Sequence, residues 1–351
     1  QLGLTMALHP LIGIIASPLW GQWADRTGRR RGALLILAVG SSVGYLLVST
    51  ASDFFYLLFC MAFLSVFASP AMSVSSSLSF AVLGKDGSDR FGHVRVWGTI
   101  GYLMTIVLFP EIVNWVGHNP EAENRVYLRS IFPVAATLCF FAGIFLLWVP
   151  PTRALSLRAK EEDIKKILSK KTYLKLLVIA FLAFGLLSGP IVLFPVFIVE
   201  KGGDVETISR LWIPMLILEI PLIYFAGSSL RRIGARGLIA LGISCDGLRW
   251  LVTALAPNLS WIFGIQLLHG VVVVGLIIGM QLYVEQEVPE NLRATGQTLL
   301  GAIMGLGAVI SHLWTGIVLE HIGSSVPYLI AGSMSITLGI YGWFFLEKGE
   351  R

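Results

Sequence analysis

The residues of this chain with the clearest capacity for chemistry are ionisable side chains inside long apolar runs. Glu219, Arg249 and His269 stand near the middle of three separate runs. A charged side chain in an apolar medium is costly unless it finds a partner or water, so such residues usually serve a function. We therefore expect the three side chains to approach one another and, if the site carries a proton, one of its carboxyl groups to hold it.

Glu219 is the first candidate for the proton, since a carboxyl group can load and release one as its surroundings alternate. Asp246 is the second candidate, and it precedes Arg249 by about one helical turn, so the two could pair within one helix. Two alternatives stay open. The first is that Glu219 and Arg249 form a structural ion pair that holds two helices in register. The second is that His269 only donates a hydrogen bond to a neighbouring helix.

Weaker candidates for the wall of a solute cavity are His9, Ser73, Ser76, Arg95 and Trp97. The histidine precedes a proline and fits a hydrogen bond at a helix kink better than a cavity position. The two serines belong to the run SVSSSLS, which equally suits helix packing. Arg95 and Trp97 stand at the start of an apolar run. An interfacial anchor is the ordinary explanation for them, and a role in gating is the alternative.

Composition places these runs in a membrane. Of the 351 residues, 55% are hydrophobic and only 13% are charged, which is too little polar surface for a soluble protein of this size. Eleven runs approach the length that crosses a bilayer, and they indicate an all-α, polytopic protein. The predicted spans are 3–20, 33–50, 54–83, 97–116, 128–149, 173–198, 209–227, 238–256, 259–284, 295–318 and 325–346.

The loops between these spans alternate in charge, and most of the 26 Lys and Arg residues lie in every second loop. The positive-inside rule places those loops and the C-terminus in the cytoplasm and residue 1 outside. This explains the net charge of +5 without nucleic acid as a partner. An outside N-terminus without a signal peptide is most simply a chain whose first span is missing, which predicts twelve spans for the complete protein.

A half-repeat divides the chain. Gly21 and Gly28 are seven residues apart in the first cytoplasmic loop, and Gly227 and Gly234 have the same spacing in the second half. The longest basic segment lies between these halves, so we predict an N-terminal bundle at 1–149, a linker at 150–172 and a C-terminal bundle at 173–351. Two similar bundles around a central site are what alternating access requires.

The first cytoplasmic loop reads GQWADRTGRRR and resembles the GxxxDRxGRR motif of the major facilitator superfamily. Every specified position is met, by Gly21, Asp25, Arg26, Gly28, Arg29 and Arg30. The resemblance implies two pseudo-symmetric six-helix bundles, here without the first helix. It also implies that Asp25 meets the N-terminal end of the span at 295–318, the eleventh of the family fold, near residues 294–296, forming a latch in the outward-open state. A charged loop that only sets topology is the alternative.

The segments FGHVRVWGTIGY, CDGLRW, QLLHG and PENLRATGQ resemble one branch of this superfamily, which includes phenylpropionate permease, nucleoside:proton symporters and lactose permease. In lactose permease the corresponding spans carry an acid, an arginine and a histidine that bind sugar and couple it to the proton. Glu219, Arg249 and His269 fall on that pattern, so the resemblance implies solute binding and proton coupling for them. The further acid that takes the proton there is replaced by Val272. The span at 97–116, which is the fifth of the family fold, also lacks the GPxxGG pattern of drug antiporters.

These observations predict a monomeric secondary transporter of the inner membrane that imports a small organic solute with a proton. An oligosaccharide, a nucleoside and an aromatic carboxylate all stay open as the solute. A proton-independent facilitator or an efflux transporter is the alternative, and a solute sensor would need an added signalling region. The sequence has no signature of catalysis, of a metal centre or of a cofactor, so we do not expect an enzyme.

Overall fold

A computed structural model describes residues 2–84, 87–116, 123–150, 165, 167–289 and 292–347. Long helices account for almost all of these residues, and no strand occurs among them. In chain order the helices are α1 (Leu2–Thr27), α2 (Arg30–Ser49), α3 (Phe54–Leu83), α4 (Gly87–Val116), α5 (Glu123–Phe145), α6 (Lys171–Glu200), α7 (Val205–Tyr224), α8 (Ala226–Leu255), α9 (Leu259–Glu287), α10 (Arg293–His321) and α11 (Val326–Phe345).

Each of the eleven apolar runs is therefore helical over most of its length. Within the described residues, nine helices are long and apolar enough to cross a membrane by length and composition. The helices α1 and α4 are not among the nine. A polytopic all-helical protein is confirmed, and the count of eleven spans stays a prediction.

The polar loops are shorter than the sequence predicts. The charge pattern predicts a loop at 21–31, but α1 continues to Thr27, and α4 begins at Gly87 inside the predicted loop 84–95. An apolar run marks only the part of a helix that lies in hydrocarbon, whereas backbone hydrogen bonding continues into polar sequence. The chain reverses direction after α1 at Gly28. Its φ of 67° is a backbone conformation that suits a residue without a Cβ.

The half-repeat has a counterpart in the backbone. Gly234, which matches Gly28 in the repeat, has a φ of 72° and interrupts α8. The two halves thus use a left-handed glycine at equivalent positions. The first glycine of the motif acts differently, because Gly21 lies inside α1 and packs against α10.

Helices pack in two groups that also touch each other. Among the N-terminal helices, α3 packs against α1 and α2, and α2 packs against α5; among the C-terminal helices, α10 packs against α6 and α11 packs against α8. The main contacts between the groups are made by α1 with α10 and by α4 with α7, and smaller ones by α4 with α8 and by α3 with α10. The largest hydrophobic core belongs to the C-terminal group and includes Trp250, Tyr173, Phe194 and Tyr328.

Small residues allow the closest helix crossings. The segment GSSVG at residues 40–44 of α2 packs closely against α3. A Cβ on Gly44 would lie only 2.8 Å from the Leu64 Cα. The segment GLIIG at residues 275–279 of α9 packs closely against α8. A Cβ on Gly275 would lie only 2.5 Å from the Gly242 Cα. The spacing of glycines in both segments predicts such packing seams, in which small residues let helix backbones approach.

Helix α9 is not regular. It contains a 3-10 turn at Gln266–Leu268, one α-helical turn at His269–Val272 and a π-helical stretch at Val273–Ile278. Such departures from the usual hydrogen bonding rotate the side chains that follow and are frequent at functional sites. The predicted functional histidine stands between the two irregular stretches.

Side-chain caps begin several helices. Asp53 accepts a hydrogen bond from the Tyr56 backbone at the start of α3, and Asp204 does the same with Thr207 at the start of α7. The hydrogen bonds from the Thr207 hydroxyl and backbone hold the pKa of Asp204 below its ordinary value, because they favour the charged carboxylate. These caps use polar residues that the apolar runs leave at their ends.

The α8–α9 crossing leads to a test of the fold. Gly275→Ala should lower the thermal unfolding midpoint in detergent, since overpacking a tight crossing costs about 1–3 kcal/mol. Gly264→Ala on the same helix is the matched control, because a Cβ there meets nothing within 4 Å. Equal midpoints for both variants and the unmodified protein would contradict the crossing.

Candidate functional site

Arg249 is the anchor of the candidate site. Its side chain on α8 is completely buried, and one guanidinium nitrogen donates to Asp246 Oδ1 at 2.9 Å. The other terminal nitrogen donates to Gln266 Oε1 at 3.1 Å and lies 3.2 Å from His269 Nδ1. The guanidinium carbon also lies 3.9 Å from the centre of the Trp250 ring, a cation–π contact. The positive charge is thus engaged by groups of the protein itself.

His269 connects Arg249 to Glu219. A guanidinium only donates hydrogen bonds, so the imidazole must accept at Nδ1 and carry its proton on Nε2. That Nε2 lies 3.8 Å from Glu219 Oε2, which is too long for a direct hydrogen bond but close enough for an ion pair when the ring is charged. The histidine therefore stands as a neutral bridge between the arginine and the acid.

Glu219 lies where α7 meets both α4 and α9. Its Oε1 accepts a hydrogen bond from the Thr99 hydroxyl of α4 at 2.6 Å, and only 4% of the residue is exposed. Helix α9 approaches closely because Gly270 faces the Glu219 backbone, where a Cβ would lie 2.6 Å from the nitrogen. The half-buried Arg95 of α4 is a favourable charge near this carboxylate.

Aromatic rings border this acid. Tyr102 of α4 and Trp212 of α7 have ring centres 6.1 Å apart in an edge-to-face arrangement. Trp212 meets His269 in the same way at 6.3 Å. Tyr102 is 47% exposed and lies within electrostatic range of Glu219. Apolar ring surface and polar groups are therefore offered side by side, as in many small-molecule sites.

The structure brings together the four ionisable residues that the sequence singles out. Asp246 and Arg249 form the pair that is expected within one helix. Glu219 reaches this pair through His269, so the arginine's carboxylate partner is Asp246 rather than Glu219. Glu219 is also nearer to a helix end than its predicted span implies, because α7 ends at Tyr224 instead of continuing to 227.

The weaker candidates are spread over other parts of the molecule. His9 Nδ1 lies 3.1 Å from the Ser65 hydroxyl of α3, which agrees with a hydrogen bond between helices. Ser73 faces α10 near Gly301, and Ser76 is half-buried. These residues do not join the cluster around Arg249, and a cavity role for them stays a prediction.

The two candidates on α4 differ from each other. Trp97 is 70% exposed, as an interfacial anchor would be. Arg95 runs along its own helix, where a Cβ on Gly98 would lie 2.7 Å from its guanidinium. It occupies the same face as Thr99, one turn away, and thus belongs to the neighbourhood of Glu219.

The motif at the end of α1 contacts α10 through its first glycine. A Cβ on Gly21 would lie 2.8 Å from the Thr298 methyl group, so the two helices touch near the start of α10. Arg29 is exposed and Arg30 is half-buried. The side chains of Asp25, Arg26 and residues 294–295 lie outside the described part of the structure, so the latch stays a prediction.

Sequence reasoning missed three residues of the site: Thr99, Trp212 and Gln266. Gln266 carried a usable signal, because it is a polar amide in an apolar run, one helical turn before His269. Thr99 and Trp212 carried none, since threonine and tryptophan are common in spans. Within the described residues, no group of three or more His, Cys, Asp or Glu side chains could hold a metal ion.

The chain is similar to known proteins over its whole length. The MFS_1 like family model matches residues 1–330. The uncharacterized transporter YwbF of Bacillus subtilis is 25% identical over 354 residues, and the maltose permease of Geobacillus stearothermophilus is 27% identical over 353 residues. Each alignment covers 100% of this chain and 86% of the relative.

A solved structure shares the fold. A mutant form of the nucleoside transporter NupG superposes with a TM-score of 0.76 at 17% identity, covering 98% of this chain and 90% of that one. The major facilitator fold expected from the sequence is confirmed by this likeness. At such low identity the likeness concerns the fold alone.

The buried pair leads to a test of the site. Asp246→Asn should lower stability by about 3–5 kcal/mol, because it leaves the guanidinium of Arg249 buried without a counter-charge. Asp246→Asn combined with Arg249→Gln should recover much of that loss. Thermal unfolding in detergent measures both effects.

The matched control is Glu206→Gln in the exposed pair with Arg210, where each side chain is 66% exposed. Exposed pairs contribute about 1 kcal/mol or less, so this variant should unfold near the unmodified protein. A double variant no more stable than Asp246→Asn would contradict the assigned pairing.

Proposed function

Because this chain belongs to the MFS_1 like family, and is therefore a membrane transporter rather than an enzyme, we propose that it imports a sugar or oligosaccharide together with a proton. The observation that carries the proposal is the contact chain Asp246–Arg249–His269–Glu219, which neutralises its own arginine and leaves one acid at the contact between the two groups of helices.

The substrate class follows from what Arg249 does. A carboxylate substrate would need a positively charged partner, but Arg249 is completely buried and already engages Asp246, Gln266 and His269. A neutral solute rich in hydroxyl groups instead suits a carboxylate and an imidazole, which accept and donate hydrogen bonds. The maltose permease among the relatives supports this choice.

The aromatic border supports the same class. Tyr102 and Trp212 pack on each other next to His269, and the C–H face of a sugar ring can cover aromatic surface while its hydroxyls bind polar groups. A nucleoside base would stack on the same rings, so nucleosides are the next class to test. An aromatic carboxylate, the third class open from the sequence, is disfavoured by the engaged arginine.

Glu219 is our candidate for the proton carrier. It is a buried acid whose two oxygens face different partners, Thr99 on α4 and His269 on α9. Relative motion of these helices would change the surroundings of the carboxyl group and with them its preference for a proton. Val272, which stands where lactose permease has its acid, is buried and cannot titrate.

The architecture we propose is that of alternating access. Residues 1–149 and 173–351 form two bundles that rock about the site, and 150–172 link them on the cytoplasmic side. We place the multi-span protein in the inner membrane as a monomer, with its C-terminus in the cytoplasm. A proton-independent facilitator is the second candidate, favoured by Val272, and efflux by the same fold is the alternative direction.

The central test concerns Glu219. Glu219→Gln keeps the shape of the side chain but cannot ionise, so it should abolish uphill sugar accumulation driven by a pH gradient in proteoliposomes. Exchange of labelled sugar across the membrane should survive, because that half-cycle need not release the proton. Counterflow by the unmodified transporter with maltose, a nucleoside and an aromatic carboxylate identifies the solute class.

Two outcomes would overturn the proposal. Accumulation that persists in Glu219→Gln excludes this residue as the carrier and directs the same experiment to Asp246. Counterflow with the carboxylate but not with maltose would show that the class inferred from Arg249 is wrong.

The latch is tested separately at Asp25. If this acid meets the start of α10 in the outward-open state, Asp25→Asn should slow transport several-fold while equilibrium binding of substrate is kept. Glu320→Gln, an exposed acid at the far end of α10, is the matched control and should transport normally. Unchanged transport by Asp25→Asn would show that the loop serves topology only.

A further inference from the structure

A buried hydrogen bond joins the two groups of helices at the acid of the site. Thr99 Oγ1 of α4 donates to Glu219 Oε1 of α7 at 2.6 Å, and the two residues are 2% and 4% exposed. Helix α4 belongs to the N-terminal group and α7 to the C-terminal group. This bond must therefore break, or change partners, whenever α4 moves away from α7.

Most of the rest of the seam between α4 and α7 is apolar or is made of close backbone contact, and the ring of His93 on α4 packs edge-to-face on Tyr224 of α7 with ring centres 4.3 Å apart. Val96 and Ile223 share one hydrophobic cluster, and Gly92 has no room for a Cβ because the Ile223 carbonyl lies against it. The Thr99–Glu219 bond lies within this seam. Apolar contacts do not depend on protonation, so any dependence of the seam on charge has to come from its polar groups.

The strength of this bond depends on the charge of the acid. A hydroxyl that donates to an ionised carboxylate makes a shorter bond, roughly twice as strong as one to a neutral group. Arg95, one helical turn before Thr99, adds attraction from α4 only while Glu219 is ionised. Protonation of the acid would weaken both contributions together.

The other groups that face Glu219 do not reverse this dependence. From α4 there is also Tyr102; from α9 there is His269, which presents a neutral N–H toward the acid. Behind the histidine, the charges of Arg249 and Asp246 on α8 largely compensate each other. The groups whose charge can vary at the seam are then Glu219 and His93, which contacts Tyr224.

We propose that Thr99 is a positioning residue that holds α4 against α7 while Glu219 is ionised and releases it when Glu219 is protonated. This rests on the proposed function, in which Glu219 carries the proton. The seam lies toward the end of the bundle that we predict to be cytoplasmic. Its release therefore opens the loaded transporter to the cytoplasm, which is the direction an importer needs.

The test combines three substitutions at Thr99. Thr99→Val keeps the shape but removes the donor, Thr99→Ala removes both, and Thr99→Ser keeps the donor. Spin labels at Gln22 and Arg232, both exposed at the predicted cytoplasmic end of the two groups, report opening as a distance measured at several pH values. The variant His93→Gln in the same distance measurement separates the contribution of His93 from that of Glu219. The labels require replacement of the native cysteines, which are Cys60, Cys139 and Cys245.

In the unmodified transporter the label distance should lengthen as the pH falls. Thr99→Val and Thr99→Ala should favour the long distance at every pH, with the open fraction at high pH raised about tenfold, since a hydrogen bond to a charged group has been lost. Thr99→Ser should restore the pH dependence. Uphill accumulation should fall in the first two variants and be kept in Thr99→Ser, because Thr99 acts through its hydrogen bond to Glu219.

The outcomes separate this inference from the proposed function. If Glu219→Gln loses accumulation but Thr99→Val keeps the normal pH-dependent distance, Thr99 has no positioning role and the function stands. If Glu219→Gln still accumulates sugar, the proposed function fails whatever Thr99 does. A Thr99→Ser variant that behaves like Thr99→Val would show that the threonine methyl group, and not the hydrogen bond, holds the seam.

Discussion

The positive charge of Arg249 is the constraint on which this site depends. A completely buried guanidinium cannot be left without a counter-charge and acceptors, since an isolated charge in hydrocarbon is very costly. One acceptor is local, because Asp246 lies one turn earlier on the same helix. The others, Gln266 and His269, come from α9 and lie three residues apart in it.

Helix α9 reaches the arginine through irregular hydrogen bonding. The 3-10 turn at Gln266–Leu268 and the π-helical stretch at Val273–Ile278 enclose His269. The π-helical stretch is also where Gly275 crosses α8 at Gly242 with almost no space between the backbones. In a bilayer, helix association depends on such close packing and on polar contacts rather than on the hydrophobic effect. Packing and the polar site therefore support each other along one helix pair.

The acid of the site has a different position from the arginine. Arg249 lies within the C-terminal helices, whereas Glu219 touches α4 of the other group through Thr99. A group inside a rigid bundle keeps its partners during rocking, while a group at the contact between bundles exchanges them. This difference supports a structural task for Asp246 and Arg249 and a transport task for Glu219, with His269 between the two.

The sequence alone determined the features that follow from local composition and from spacing along the chain. The repeated glycine spacing marked Gly28 and Gly234 as equivalent positions, and the structure gives both a positive φ. Apolar length predicted the helices, and the cost of buried charge predicted that Glu219, Arg249 and His269 would find partners. Only the tertiary structure decided which partners they found. Thr99 and Glu219 are 120 residues apart in the sequence, and their hydrogen bond depends on the angle at which α4 packs against α7. No local pattern encodes that angle, because it results from the sum of all helix contacts.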